Sequence, residues 1–139
     1  MYHNDRPSLT LRLQVFLRPS SRMSDPTIAL ADPDTERAAR AFLAGVAMRY
    51  DLAGAILFGS RARGNHRPDS DADIAVLLHG SPGPFVATKM AMADIAYDVL
   101  LETGIRIQAF PIWEQEWEHP EAYSNPRLLD NIQREGIRL

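Results

Sequence analysis

An α+β fold, with a small mixed β-sheet flanked by helices, is the architecture this sequence predicts. Three observations point to it. Short apolar runs ("AGAILFG", "DADIAVLLH" and "IRIQAFPI") are each too brief for a helix of ordinary length and end in glycine, proline or a charged turn. Helical patterns stand before the first run, between the second and third, and at the C-terminus. The resulting order of helix, strand, loop, strand, helix, strand, helix suits a small α/β or α+β sandwich on a mixed sheet.

Each element has a local cause. Asp32-Pro33 reads as an N-cap followed by proline at the first helical position, and Asp34 and Glu36 favour the positive end of the helix dipole. That helix is expected to run to about Arg49, with Ala38, Phe42 and Val46 on one face. "AGAILFG" predicts a buried strand of about five residues closed by Gly59. "DADIAVLLH" predicts a second strand, stopped by the Gly80-Ser81-Pro82-Gly83-Pro84 breaker. From Phe85 to about Glu102 a stripe of Phe85, Thr88, Met92, Ile95, Ala96 and Val99 predicts a helix, with Gly104 as its C′ residue. "IRIQAFPI" is the third strand, its Ile105 and Ile107 alternating with Arg106 and Gln108. A terminal helix starts near Asn125-Pro126, with Leu128, Leu129 and Ile132 facing inward, and Trp113 and Trp117 anchor the preceding segment.

The 139 residues suit one domain, with no internal repeat and no linker. Residues 25–139 are expected to form it. Residues 1–24 read as a flexible or non-native extension, with Met23 as an alternative start. Arg6, Arg12, Arg18 and Arg22 face the single acid Asp5 there, which also resembles a targeting segment, but Pro7 and Pro19 interrupt any long amphipathic helix. Within it, "LTLRLQVFL" alternates like a strand.

Composition narrows the function classes. A net charge of −3 and a pI near 5.8 oppose an extensive nucleic-acid surface. The acidic "WEQEWEHPE" would itself repel a phosphate backbone. No cysteine is present, which excludes disulfides and thiolate metal sites and favours the cytoplasm. No apolar run approaches the roughly 18–20 residues of a membrane span.

The chemistry concentrates in "GSRARGNHRPDSDADIAV". Strand alternation places Asp71 and Asp73 on one face, while Ala72, Ile74, Val76 and Leu78 take the other. Two ionised carboxylates entering a buried strand require compensation, and roughly 7 Å of strand rise between them lets both converge on one hard cation. Mg²⁺ suits such a pair, because it takes one or two carboxylates and keeps water or phosphate oxygens at its other positions. The Gly59-Ser60 turn offers backbone N–H groups and a hydroxyl to an anion, and Arg61 and Arg63 add fork-shaped cations. Other motifs fail on spacing. An EF-hand loop starting at Asp69 would need glycine where Ile74 stands and glutamate where Gly80 stands. Gly59 and Gly64 have the glycine spacing of a P-loop, but Asn65-His66 follow instead of Lys-Ser/Thr.

Taken together, these residues resemble the signature of the nucleotidyltransferase superfamily with the DNA polymerase β-like fold, in its minimal form: Gly-Ser, Ala-Arg-Gly, then Ser-Asp-x-Asp leading into an apolar strand. Gly59, Ser60, Ala62, Arg63, Gly64, Ser70, Asp71 and Asp73 match it. The resemblance implies a magnesium-dependent transfer of a nucleoside monophosphate from an NTP, most commonly ATP, to a hydroxyl. Asp71 and Asp73 would be the catalytic metal ligands, and Gly59, Ser60, Arg63 and Ser70 would hold the nucleotide. Arg63 has a second reading, as a brace of the loop through an acid such as Asp69.

The family commonly carries a third carboxylate on a later strand. Here the aligned position is Gln108, a neutral amide that cannot act as a general base. Asp94 and Asp98, four apart on the preceding helix, are candidate substitutes but read better as a solvated face. His66, in the phosphate loop, reads as solvated too, and His79 and His119 lack partners at metal-ligand spacing. Minimal members of the family are often antitoxins that modify a helical, HEPN-like toxin; others modify small molecules such as aminoglycosides. A binding module that has lost turnover is the competing expectation. Because the chain has no room for an appended acceptor domain, the acceptor is expected to be held by a partner, a second subunit of an oligomer, or the C-terminal segment.

Overall fold

The structure, a computed structural model, describes residues 32–139. The expected N-terminal extension, its "LTLRLQVFL" strand and the first residues of the expected domain lie outside the described residues. Helix α1 spans Pro33–Ala47, strand β1 Leu52–Phe58, helix α2 Ser60–Arg63 and strand β2 Ala72–Leu78. Helix α3 spans Phe85–Thr103, strand β3 Ile107–Trp113, helix α4 Glu114–Glu118, a 3₁₀ turn Pro120–Ala122, helix α5 Pro126–Glu135 and strand β4 Ile137–Arg138.

The strands lie in the order β3-β2-β1-β4. β1 runs antiparallel to β2 and β4, and β2 runs parallel to β3 through the α3 crossover. The sheet is therefore mixed, and the fold is α+β, as the element order predicts. Its two faces build two cores. Ala55, Leu57, Ala72, Ile74, Val76 and Leu78 pack under α1 and α3 with Phe42, Val46, Met92 and Val99. Ile56, Phe58, Ala75, Leu77 and Ile112 pack under α5 with Leu129, Ile132 and Tyr123. Both sheet faces are covered, which is why β1 and β2 read as continuous apolar runs.

Boundaries differ from expectation in informative places. Helix α1 stops at Ala47, two residues before Arg49, and Asp32 carries the extended backbone of an N-cap but directs its carboxylate to the Thr35 hydroxyl. Phe85, expected in the buried stripe of α3, is 39% exposed because it begins the helix before the sheet covers it. Thr88, Met92, Ala96 and Val99 are buried as the stripe requires, and Gly104 ends the helix with φ +80° and an N–H donated to Leu100 O. The first turn of α5 is capped by Asn125 Oδ1, which accepts from the Leu128 N–H. Trp113 is buried in the first core and Trp117 packs against the second, so the aromatic pair anchors the C-terminal segment.

Candidate active site

The site is assembled where β1, β2 and β3 end together. Asp71 lies one residue ahead of β2, and Asp73 is its second residue, so the two side chains share the face occupied further along by Ala75 and Leu77. The antiparallel register places Asp73 opposite Phe58, and therefore beside Gly59. Gly59 has φ +78°, and a Cβ there would stand 2.4 Å from Asp73 Oδ2. Both facts require glycine. The conformational need of the turn and the close approach of the carboxylate thus join the Gly-Ser turn and the acidic strand into one site. On the other side, the parallel register sets Gln108 directly beside Asp73.

The electrostatics follow from this placement. Burial raises the pKa of Asp73, the neighbouring Asp71 adds to the rise, and Arg63 and Lys89 oppose it. Among the described residues Asp73 accepts no hydrogen bond, and Asp71 has only a loose ion pair, 3.9 Å from Arg106 Nε. The sequence reading missed Lys89, which reaches from α3 to the edge of β3. Its Nζ donates to Ala109 O at 2.6 Å and lies 4.4 Å from the Phe110 ring centroid. Desolvation lowers its pKa, and the Asp73 charge opposes that shift.

The loop residues divide by role. Ser60 opens the single turn of α2, a segment read from sequence as part of a loop. Arg63 is a brace, but its partner is Glu135 at 2.8 Å and not Asp69, which is exposed. Glu135 Oε1 also accepts from the Gly59 N–H at 3.3 Å, so the last turn of α5 meets the Gly59-Ser60 turn. No local pattern in the sequence marks Glu135, because the contact spans 76 positions. Arg61 is not the exposed phosphate fork that was expected. It is 6% exposed and donates to Ser70 O, Pro68 O, Thr35 Oγ1 and Asp32 Oδ2. Ser70 works within the same loop, its hydroxyl accepting from the Arg67 N–H at 2.9 Å.

His66 is not solvated as expected but half-buried, with Nε2 3.3 Å from Asp32 Oδ2. A hydrogen bond from Thr35, then the His66 and Arg61 charges, lower the Asp32 pKa against the effect of burial. Asp94 and Asp98 lie on the exposed face of α3. His79 pairs with the buried Glu114 at 2.9 Å, at the opposite end of β2 from the site.

Among the described residues, no group of three or more His, Asp or Glu side chains is placed to hold a metal. The donor set at β2 is two carboxylates, one of them half-buried, without a hydrogen-bonding partner and pressed against a backbone cradle that a Cβ would fill. That set fits Mg²⁺ accompanied by water and phosphate oxygens, and does not make a complete protein cage for Ca²⁺ or Zn²⁺.

Comparison with known proteins agrees with the geometry. The family model described as "Polymerase beta, Nucleotidyltransferase" matches residues 43–111, a span from within α1 to within β3 that contains Gly59, Ser60, Asp71, Asp73 and Gln108. No curated protein is matched. A crystal structure described as that of "a putative nucleotidyltransferase from Sulfolobus solfataricus" superposes with a TM-score of 0.49 at 21% identity, covering 76% of this chain and 82% of that one. With the glycine turn and the carboxylate pair inside the matched span, this chain is a member of the polymerase β-like nucleotidyltransferase superfamily.

Proposed function

We propose that this chain transfers a nucleoside monophosphate from a magnesium-bound NTP, with ATP as the first candidate, to a hydroxyl on a partner molecule in the cytoplasm. The observation that carries the reading is the close approach of Asp73 to Gly59, which brings the glycine-serine turn and the carboxylate pair together at one place. Asp71 and Asp73 would hold Mg²⁺, which neutralises phosphate charge and orients the reacting group. The Ser60 hydroxyl and the backbone N–H groups that follow Gly59 would receive the departing pyrophosphate, the Gly59 N–H itself being bound to Glu135 Oε1. The acceptor oxygen forms a bond to the α-phosphorus while the α–β phosphoanhydride bond breaks. The hydroxyl proton cannot go to Gln108, a neutral amide, and would pass to water, because Asp71 and Asp73 are committed to the cation.

A protein acceptor is favoured over a small molecule by the face of α3 that the fold leaves uncovered. Val86, Met90, Tyr97 and Leu101 are all exposed there, at helical spacing. This supports the antitoxin-type reading, with a helical HEPN-like toxin as acceptor, over an aminoglycoside-type one. Gln108 beside Asp73 favours a second reading, a nucleotide-binding module without turnover.

Incubation with Mg²⁺, each labelled NTP and candidate partners separates the two. Transfer by the wild type and none by Asp71→Ala/Asp73→Ala is expected. Label transfer that survives the double substitution overturns the assignment of the site, and Mg²⁺-dependent nucleotide binding without transfer selects the binding module.

A further inference from the structure

Of the fifteen lysine and arginine residues in this chain, Lys89 is the only lysine. Its ammonium reaches around the β3 edge of the sheet to the carboxylate face, where Arg106 and Arg63 are the other cations near Asp71 and Asp73. Phe110 stands two residues beyond Gln108 on β3, and Gln108 pairs with Asp73. Side chains two apart on a strand share a face, so the Phe110 ring under the ammonium lies on the Asp73 side of the sheet. The Phe58 ring, from the β1 residue that pairs with Asp73, is 5.4 Å from the Phe110 ring and closes the same corner. The ammonium is fixed from two directions, by the Ala109 carbonyl at 2.6 Å and the ring face at 4.4 Å. Both contacts favour the charged form.

The charges at this corner limit what else it holds. Asp71 and Asp73 bring two negative charges and Gln108 brings none; Arg106 stands 3.9 Å from Asp71, Arg63 is paired with Glu135 on the Gly59 side, and Lys89 is the cation held at the β3 edge beside Phe110. A second divalent cation near Gln108 would meet a fixed positive charge with no third carboxylate to offset it, and in a half-buried corner that repulsion is only partly screened. A compact ammonium is also a closer substitute for a metal ion's point charge than a planar guanidinium, which gives a physical reason for lysine here in a chain that otherwise uses arginine.

We propose that the Lys89 ammonium occupies the place of a second divalent cation, so that this chain takes one divalent ion with its nucleotide where the three-carboxylate arrangement takes two. The inference rests on the nucleotidyltransferase reading above, and deepens it by assigning the charge that stands in for the missing acid and its metal.

The test counts bound metal and does not depend on turnover. Mn²⁺ bound per chain is measured by electron paramagnetic resonance on the full-length protein, saturated with a non-hydrolysable NTP analogue. One Asp71/Asp73-dependent Mn²⁺ is expected for the wild type. Lys89→Met is expected to bind that ion roughly threefold or more tightly, because a like charge has been removed. Lys89→Met/Gln108→Asp is expected to bind two. Circular dichroism confirms that each variant is folded, and Lys89→Arg, which keeps the charge, serves as a control expected to retain a count of one. Two Mn²⁺ on the wild type, or no tightening in folded Lys89→Met, overturns the role of Lys89 while leaving the nucleotidyltransferase reading intact. A wild type that binds no more Mn²⁺ than Asp71→Ala/Asp73→Ala overturns that reading itself.

Discussion

Asp73 sits half-buried at the end of β2, two residues from a second carboxylate, and burial followed by the Asp71 charge raises its pKa above the ordinary 3.8. A raised carboxyl pKa means that the folded chain holds the proton more tightly than the unfolded chain. This group therefore favours folding while it is protonated. The contribution is lost as pH rises from the unfolded value through the folded one, and at neutral pH the charged Asp73 is a cost. Asp73→Asn is accordingly expected to raise Tm at neutral pH. The same change should abolish carboxylate-dependent Mg²⁺ binding. Thermal melts at neutral pH and at pH 3, where the gain should vanish, check the sign. That Asp71 and Asp73 share a face was legible in their spacing, because alternation is a property of any strand. That Lys89 approaches them was not, since no local rule says how far a side chain on one element reaches over the edge of another.

The one-turn helix α2 and the loop behind it separate two arginines that look equivalent in "SRARG". In a helical turn, residues two apart point to nearly opposite sides. Arg63 faces the site and pairs with Glu135, whereas Arg61 turns inward and binds the loop carbonyls and the start of α1. Reading the segment as an irregular loop hid that difference. Arg61→Ala would leave the Ser70 and Pro68 carbonyls without this donor and Asp32 with Thr35 and His66 alone, and is expected to lower stability by about 3 kcal/mol in urea unfolding. Arg61→Lys should recover only part of it, because one ammonium cannot reproduce the guanidinium fork. Arg63→Ala, with its partner half-exposed, should lower stability by less than about 1 kcal/mol.

For the molecule as a whole, the C-terminus closes the sheet. Ile137 and Arg138 form β4 against Leu57 and Ile56, and the Leu139 N–H donates to Ala55 O at 3.0 Å. Gly136 makes the crossing from α5 possible: a Cβ there would stand 2.3 Å from Ile56 Cγ2 and 2.4 Å from Ile132 O. Truncation after Glu135 would expose the outer edge of β1 and loosen α5, which carries Glu135 to the Gly59 turn. A stability loss of about 2 kcal/mol is expected, seen as a lower urea midpoint. Local order along the chain determined most of this protein by itself. Apolar period marked three strands and the long helices, turn residues marked their ends, and the glycine–serine turn with its alternating aspartates marked the site. These are short-range properties, set by steric and hydrophobic rules acting over a few residues. Only the tertiary structure decided that β4 exists, that Glu135 meets Gly59, that Arg61 is buried, and that Lys89 stands by Asp73. Those outcomes depend on which distant segments come together, and a two-residue strand or a single lysine carries no periodic signal of its own.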